Sequence, residues 1–222
     1  MDYYVVLILS LIITLGSQFY INVTYQKTKK ISSKKRLSGY DVARRILDAN
    51  GLKKVNVKEV SGTLTDHYDP KKKVVNLSTE VYNGISLASI AVAAHECGHA
   101  IQDKDGYVFL RFRHAMVPLV NFASWAGYII IMISIFASLF KLLWLGICLE
   151  FVILFFQVVT LPVEFNASNR ALKHIVSLNL VEDKENIWCK KMLAAAALTY
   201  VASVATAVLE ILRLISMARR DD

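Results

Sequence analysis

Long apolar stretches alternate with polar segments along this chain and predict its main elements. The first, from Tyr3 to Ile21, contains no charged residue and is long enough to cross a bilayer. The stretch from Met116 to Val163 carries only two charges, Lys141 and Glu150. It is too long for one span and predicts two, joined by a tight turn near Lys141. A last alanine-rich stretch, from Met192 to Ile215, predicts a fourth span or a long buried helix.

Between the first and second spans, shorter patterns predict a small α+β unit. Ser38–Asp41 opens a short helix, and Asn50–Gly51 ends it. Val55–Val60 alternates apolar and polar residues as a half-buried strand does, and Val74–Leu77 predicts a second strand. The run from about Ser86 to Gln102 predicts a single helix that Ser86 caps.

Beyond the predicted membrane hairpin, the pattern becomes polar again. Leu161–Leu172 predicts a helix with Pro162 in its first turn, continuing to about Leu178. Glu182–Glu185 then predicts a solvated connector before the last apolar helix. We therefore expect the chain to leave the membrane close to Pro162.

Composition and charge support a membrane protein. The 222 residues are 55% hydrophobic, and the mean hydropathy is positive, which is too apolar for an ordinary soluble domain. The net charge is +8, and a basic block from Lys27 to Arg36 directly follows the first span. Such a block favours a cytoplasmic location for that side of the membrane. No aromatic and basic residues interleave, so we expect no nucleic-acid partner.

The helix from about Ser86 to Gln102 carries the motif His95-Glu96-Cys97-Gly98-His99. Residues four apart lie on one face of a helix, so both imidazoles can reach one metal ion. Glu96 lies about 100° round the helix from His95, where it can reach a water molecule without binding the metal. Two neutral histidines and a glutamate suit one zinc ion per chain and hydrolysis. The alternative is a chance motif on a wet helix face, but the preceding residues are apolar.

A catalytic zinc site needs a third protein ligand and an open position. Glu164 is favoured, because the predicted hairpin starts near the motif helix and brings the chain back there. The other candidates are His67, His114, His174, Asp103, Asp105 and Glu150. Of these, His174 is the runner-up. The alternative for Glu164 is a glutamate at a helix N-terminus, stabilised by the helix dipole. Ser168, one helical turn after Glu164, is a candidate to contact a ligand histidine.

These motifs resemble known membrane peptidases. His95-Glu96-x-x-His99, two membrane helices and then Glu164-x-x-Ala167-Ser168 are similar to the gluzincin layout of the HtpX-type membrane proteases. Asp66-His67-Tyr68-Asp69-Pro70 and the segments 93–102 and 194–201 resemble more closely the YugP-like neutral zinc metallopeptidases of bacterial membranes. The resemblance covers nearly the whole chain. It implies zinc held by His95, His99 and Glu164, with Glu96 as the catalytic residue.

The resemblance also has one departure. Ser168 stands where the HtpX-type motif has an aspartate, and a serine is a weaker partner for an imidazole N–H group. Asp69 and Asn169 are alternative partners for a ligand histidine. His67 is a candidate for contact with the substrate or the transition state, and the alternative is a histidine in a turn.

The sequence therefore predicts a mainly α membrane protein with about four transmembrane helices and a small α+β zincin-like catalytic unit at the cytoplasmic face. We expect a multi-pass zinc endopeptidase of the bacterial cell membrane, which acts on peptide or protein substrates. The sequence does not predict its oligomeric state. The predicted parts are an N-terminal anchor (1–25), a cytoplasmic catalytic part with the motif helix (26–115), a transmembrane hairpin (116–163), a cytoplasmic helix with the third ligand (164–191) and a C-terminal transmembrane or buried helix (192–222).

Two other classes remain open at this point. A non-catalytic membrane scaffold could use the metal only to brace its fold. A metal transporter would need several ionisable residues within its spans, and only Lys141, Glu150 and Glu210 qualify.

Overall fold

The computed structural model describes residues 3–219 of the chain, which form a mainly helical protein with one small sheet. The elements in chain order are α1 (Tyr3–Lys29), α2 (Gly39–Ala49), β1 (Asn56–Val60), β2 (His67–Asp69), β3 (Val74–Ser78), α3 (Thr79–Asn83), α4 (Leu87–Lys104), α5 (Val108–Phe136), α6 (Phe140–Ser177), a short 3-10 turn (Asp183–Glu185) and α7 (Asn186–Ala218). The described residues divide into two compact units. Within the described range, the helical unit comprises residues 3–18, 111–162 and 198–219, and the α+β unit comprises Phe19–Leu110 and Val163–Ala197.

Four helices within the described range are long and apolar enough to cross a membrane. They are Tyr4–Lys29, Val108–Phe136, Lys141–Ser177 and Asp183–Ala218. Only 6% to 28% of the most apolar window of each helix is buried inside the protein. Their apolar side chains therefore face outward, as lipid-facing side chains do. The prediction of about four candidate membrane helices is confirmed.

The helical unit packs parts of α5, α6 and α7 side by side. Leu143 and Ile147 of α6 form a buried cluster with Ile211 and Leu214 of α7. The hairpin between α5 and α6 turns at residues 137–139, directly before the predicted position at Lys141. The turn is tight, as the length of the apolar stretch predicted.

The α+β unit is built around a core shared by its helices and its sheet. The strand order is β1-β3-β2, with β1 parallel and β2 antiparallel to the central strand β3. The predicted strands at 55–60 and 74–77 are confirmed. The third strand, β2, was not predicted, because it is only three residues long and polar. His67 therefore lies in a strand and not in a turn.

In the α+β unit, helices α2 and α4 begin directly after serine residues that cap them. The side chain of Ser38 accepts a hydrogen bond from the backbone N–H of Asp41 and completes a capping box at the start of α2. Ser86 caps α4 by accepting from the backbone N–H of Ser89 at 3.1 Å, as predicted. At the other end of α4, Gly106 has a φ of +66°, a conformation that suits glycine and ends the helix.

One predicted helix start is wrong. Pro162 does not lie in a first turn, because α6 runs without a break from Phe140 to Ser177 with Pro162 inside it. Proline removes one backbone donor, but unpaired backbone groups are so costly in an apolar surrounding that a long membrane helix continues through it. The segment with the third candidate ligand is therefore continuous with a candidate membrane span.

Candidate metal centre

Helix α4 supplies the two histidines and the glutamate of the motif. Its preceding residues Ala91, Ala93 and Ala94 are fully buried, so the helix is fixed in the core of the α+β unit. Small alanine side chains let the neighbouring elements pack closely around α4. The motif therefore lies on a rigid helix and not on a loop.

The structure brings His95, His99 and Glu164 together within the α+β unit. The Nε2 atom of His95 lies 3.2 Å from Oε2 of Glu164, and Nε2 of His99 lies 3.6 Å from the same oxygen. The two imidazole rings are nearly perpendicular, at 88°, with their centroids 4.8 Å apart. One ligand atom from each of the three residues lies within 4.8 Å of the other two.

These distances fit a tetrahedral zinc site. Zinc bonds to nitrogen and oxygen of about 2.0–2.1 Å place neighbouring ligand atoms about 3.3 Å apart in a tetrahedron. The separations of 3.2 Å and 3.6 Å agree with that value. The donor set of two imidazole nitrogens and one carboxylate oxygen is one that zinc accepts in hydrolytic enzymes. The three residues present therefore fit zinc.

The burial of Glu164 favours a positive group beside it. The side chain of Glu164 is 3% exposed, whereas that of His95 keeps 14%. A buried carboxylate is costly unless a positive group compensates it. Burial alone lowers the pKa of His99, but the hydrogen bond to Glu164 and the charges of Glu96 and Glu164 raise that pKa overall. The pocket therefore favours positive charge, and a bound metal ion would displace a proton.

The approach of α6 to α4 depends on Gly98. A Cβ atom at this position would lie 2.5 Å from the backbone oxygen of Ala167 on α6, closer than real side chains come. Gly98 lies between the two histidines, and Ala167 lies one helical turn after Glu164. The missing side chain therefore lets the third candidate ligand reach the histidines.

Cys97 is inside the motif but belongs to the core and not to the site. Its thiol donates a weak hydrogen bond to the backbone oxygen of Ala43 on α2, at 3.6 Å. Burial raises the pKa of this thiol far above its ordinary value, so it remains protonated. A protonated thiol is a poor metal ligand, since metals bind the thiolate.

Ser168 lies in contact with His95, one of the candidate ligands. Its Oγ atom lies 3.2 Å from Nδ1 of His95. The two alternatives lie elsewhere: Asp69 accepts hydrogen bonds from the backbone N–H groups of Lys71 and Lys72, and Asn169 is exposed on α6. Because serine can contact the histidine from one turn beyond Glu164, the missing aspartate does not leave Nδ1 without a partner.

The remaining candidate residues have partners of their own. His67 is exposed in β2, with its Nε2 atom 3.1 Å from the side-chain amide of Asn76. The runner-up ligand His174 lies 3.4 Å from the amide of Asn50, the C-cap of α2. Asp103 accepts a hydrogen bond from the hydroxyl of Tyr68, and Asp105 pairs with Arg170. His114 and Glu150 belong to the helical unit.

Gln102 was not among the predicted site residues, yet its side-chain oxygen lies 3.0 Å from Nδ1 of His99. The sequence contains a signal for this contact, because Gln102 follows His99 by three residues and so shares its helix face.

Comparison with known proteins agrees with this geometry. Residues 3–219 match the family model described as "Putative neutral zinc metallopeptidase". The chain belongs to this family. It is also 45% identical over 199 residues to the "Putative membrane protease YugP" of Bacillus subtilis (strain 168). The aligned region covers 90% of this chain and 88% of that protein. No solved structure matches the chain at a significant level.

Membership of the neutral zinc metallopeptidase family confirms the resemblance that the sequence motifs indicated. The family name implies zinc, and the two histidines and the glutamate described above are a group that could hold it. The relative's name implies a membrane location, which agrees with the four apolar helices.

Proposed function

We propose that this protein is a membrane-embedded zinc endopeptidase of the gluzincin type. The observation that carries the proposal is the convergence of His95 and His99 on the buried carboxylate of Glu164, with Glu96 next to His95 on the same helix. Three protein ligands leave one position of a tetrahedral ion open, as in catalytic zinc sites. A metal that only braces a scaffold is more often held by four protein ligands.

Glu96 is the catalytic residue in this proposal. It is buried, with 8% of its surface exposed, and it follows His95 directly on α4. Zinc in this site would supply Lewis-acid chemistry, since it polarises a carbonyl group and lowers the pKa of water. Glu96 takes a proton from the attacking water and passes it to the nitrogen of the leaving amine. The peptide C–N bond breaks, and a carboxyl group and an amine are released.

The two flanking contacts prepare the histidines for this role. Hydrogen bonds at Nδ1 of His95 and His99 leave both Nε2 atoms directed at Glu164. Such outer hydrogen bonds orient the imidazole and make it a better ligand. The chain thus holds each ring through the nitrogen that does not face Glu164.

We further propose that the site faces the cytoplasm of a bacterial cell. The support is the basic block from Lys27 to Arg36, which lies at the C-terminal end of the first candidate span and directly after it. Lysine and arginine are retained preferentially on the cytoplasmic side of a membrane.

The experiment that tests the activity is the substitution Glu96→Gln in the full-length, detergent-solubilised protein. We expect wild-type zinc content and a loss of about 10²–10⁴-fold in the cleavage rate of an unfolded model protein, because the amide cannot accept a proton. Zinc is measured by mass spectrometry and cleavage by gel electrophoresis. Glu59→Gln, an exposed glutamate of β1, is the matched control and should retain full activity.

Three results would overturn this proposal. Wild-type cleavage by the Glu96→Gln variant would remove Glu96 from the mechanism. Cleavage that persists after complete removal of zinc would exclude a metal-dependent reaction. Zinc-loaded wild-type protein that cleaves no substrate would favour the alternative, a non-catalytic membrane scaffold with a structural metal.

A further inference from the structure

Gln102 is a fully buried polar residue whose entire side-chain amide is used in hydrogen bonds. It has no exposed surface. Its oxygen lies 3.0 Å from Nδ1 of His99, and its nitrogen lies 2.7 Å from the backbone oxygen of Val163 and 3.0 Å from Oδ1 of Asn166. A primary amide has two N–H donors. Both are used on α6, and the oxygen is used on α4.

The partners on α6 determine which way the amide points. The backbone oxygen of Val163 can only accept a hydrogen bond, so the amide nitrogen of Gln102 must face it. Oδ1 of Asn166 also accepts from Nε of Arg170 at 2.7 Å, and a guanidinium can only donate. Both observations require the nitrogen of Gln102 to face α6 and its oxygen to face His99.

This orientation determines the tautomer of His99. Because the oxygen of Gln102 only accepts, Nδ1 of His99 must carry the hydrogen. In a neutral imidazole the other nitrogen, Nε2, then has a free lone pair. That atom is the one that lies 3.6 Å from Oε2 of Glu164. Gln102 thus selects the form of His99 that can bind a metal at the site.

The same amide also holds α6 in register. Val163 precedes Glu164 directly, and Asn166 follows it by two residues. By binding both positions, Gln102 ties the segment of α6 that carries Glu164 to the helix that carries the histidines. Arg170 continues the connection, because it binds Asn166 and also Asp105 just beyond the end of α4.

The other histidine has a less selective partner. The hydroxyl of Ser168 can donate or accept at Nδ1 of His95, so it does not choose a tautomer by itself. The amide of Gln102 is held by two acceptors and cannot rotate freely. Of these two contacts, the one between Gln102 and His99 is therefore the one that selects an imidazole tautomer.

We propose that Gln102 is a positioning residue of the metal centre, which selects the metal-binding tautomer of His99 and holds Glu164 opposite it. The inference rests on the metal site of the proposed function but not on the catalytic role of Glu96. It deepens that function, because it explains how a site divided between two helices is assembled in one geometry.

The test measures metal binding directly in the full-length, detergent-solubilised protein. Gln102→Met keeps the length of the side chain and removes all three hydrogen bonds. We expect its dissociation constant for zinc, measured by competition with a chromophoric chelator, to rise about 10–100-fold. We also expect the visible absorption bands of the cobalt(II)-substituted protein to shift, because the geometry around His99 changes.

Two further variants separate positioning from general stability. Gln102→Glu keeps an acceptor for Nδ1 of His99 but loses the donors to α6, so we expect zinc affinity closer to wild type and a lower melting temperature. Glu185→Gln is the matched control. It weakens another buried network of the α+β unit, with Ser33 and Lys34, and should lower the melting temperature without changing the zinc dissociation constant.

Two results would overturn the inference: wild-type zinc affinity and cobalt spectrum in Gln102→Met, or an equal loss of affinity in Glu185→Gln. If Gln102→Glu does not fold, Gln102→Met still decides the question. Gln102-dependent zinc binding in a wild-type protein that cleaves no substrate would support this inference and contradict the proposed activity. The experiments can therefore contradict the proposed activity without contradicting the proposed role of Gln102.

Discussion

At the scale of single residues, the carboxylate of Glu164 is the group on which the proposed metal centre depends. It is 3% exposed, and one of its oxygens faces both histidines. For Glu164→Ala we expect the zinc content of the purified protein to collapse, since two histidines alone form an incomplete site. Zinc is measured by mass spectrometry after gel filtration. Asn169→Ala, at an exposed position of the same helix, is the control and should retain one zinc per chain.

Stoichiometric zinc in the Glu164→Ala variant would assign the third ligand to another residue. His174 would then be the next candidate for the third zinc ligand, because the sequence favours it after Glu164. Its contact with Asn50 favours a role at the end of α2 instead.

The sequence predicted most of this site because its signals are short-range or follow from the order of the elements. The spacing of His95 and His99 places both on one face of a helix, and the order of the apolar stretches along the chain favoured Glu164 among the candidate third ligands. Gln102 was missed for a physical reason. Two of its three partners, Val163 and Asn166, are more than 60 residues away in the chain, and a helical pattern does not show which neighbour covers a given face.

At the scale of elements, the close contact between α4 and α6 decides whether the site forms. For Gly98→Ala we expect a loss of about 1–3 kcal/mol in the free energy of unfolding and weaker zinc binding, because the new methyl group meets the backbone of Ala167 and the helices must separate. Denaturant unfolding in detergent and zinc competition measure the two effects.

A glycine in open space provides the matched control for this change. A Cβ atom at Gly16 of α1 has nothing within 4 Å, so Gly16→Ala should be neutral or stabilising by about 0.5–1 kcal/mol through its helix propensity. Equal effects of the two substitutions would mean that the contact at Ala167 is not tight.

The elements differ in how well the sequence predicted them. The starts of α2 and α4 were predicted because Ser38 and Ser86 are local capping signals. The helix start at Pro162 was predicted wrongly, because α6 runs through this proline. A proline does not break a helix whose freed backbone groups find partners nearby. The strand β2 has no hydrophobic pattern of its own, and its pairing with β3 is what makes it a strand.

At the scale of the whole molecule, four candidate spans were predictable because bilayer thickness sets a minimum length for an apolar helix. The orientation of those spans is an expectation that the basic block supports. If residues 27–36 are in the cytoplasm, we expect Glu59 inside the cell as well, and the hairpin turn at 137–139, one span further along the chain, outside. The two regions should therefore respond oppositely to a reagent that cannot cross the membrane.

Cysteine labelling in intact bacterial cells tests this arrangement. Cys97 and Cys189 are buried, and the exposed Cys148 is first replaced by serine. Single cysteines are then introduced at Glu59 and at Ala137, both exposed positions. A membrane-impermeant maleimide should label Ala137→Cys in intact cells and Glu59→Cys only after the membrane is opened. Labelling of Glu59→Cys in intact cells would place the metal centre outside and make extracytoplasmic proteins its substrates.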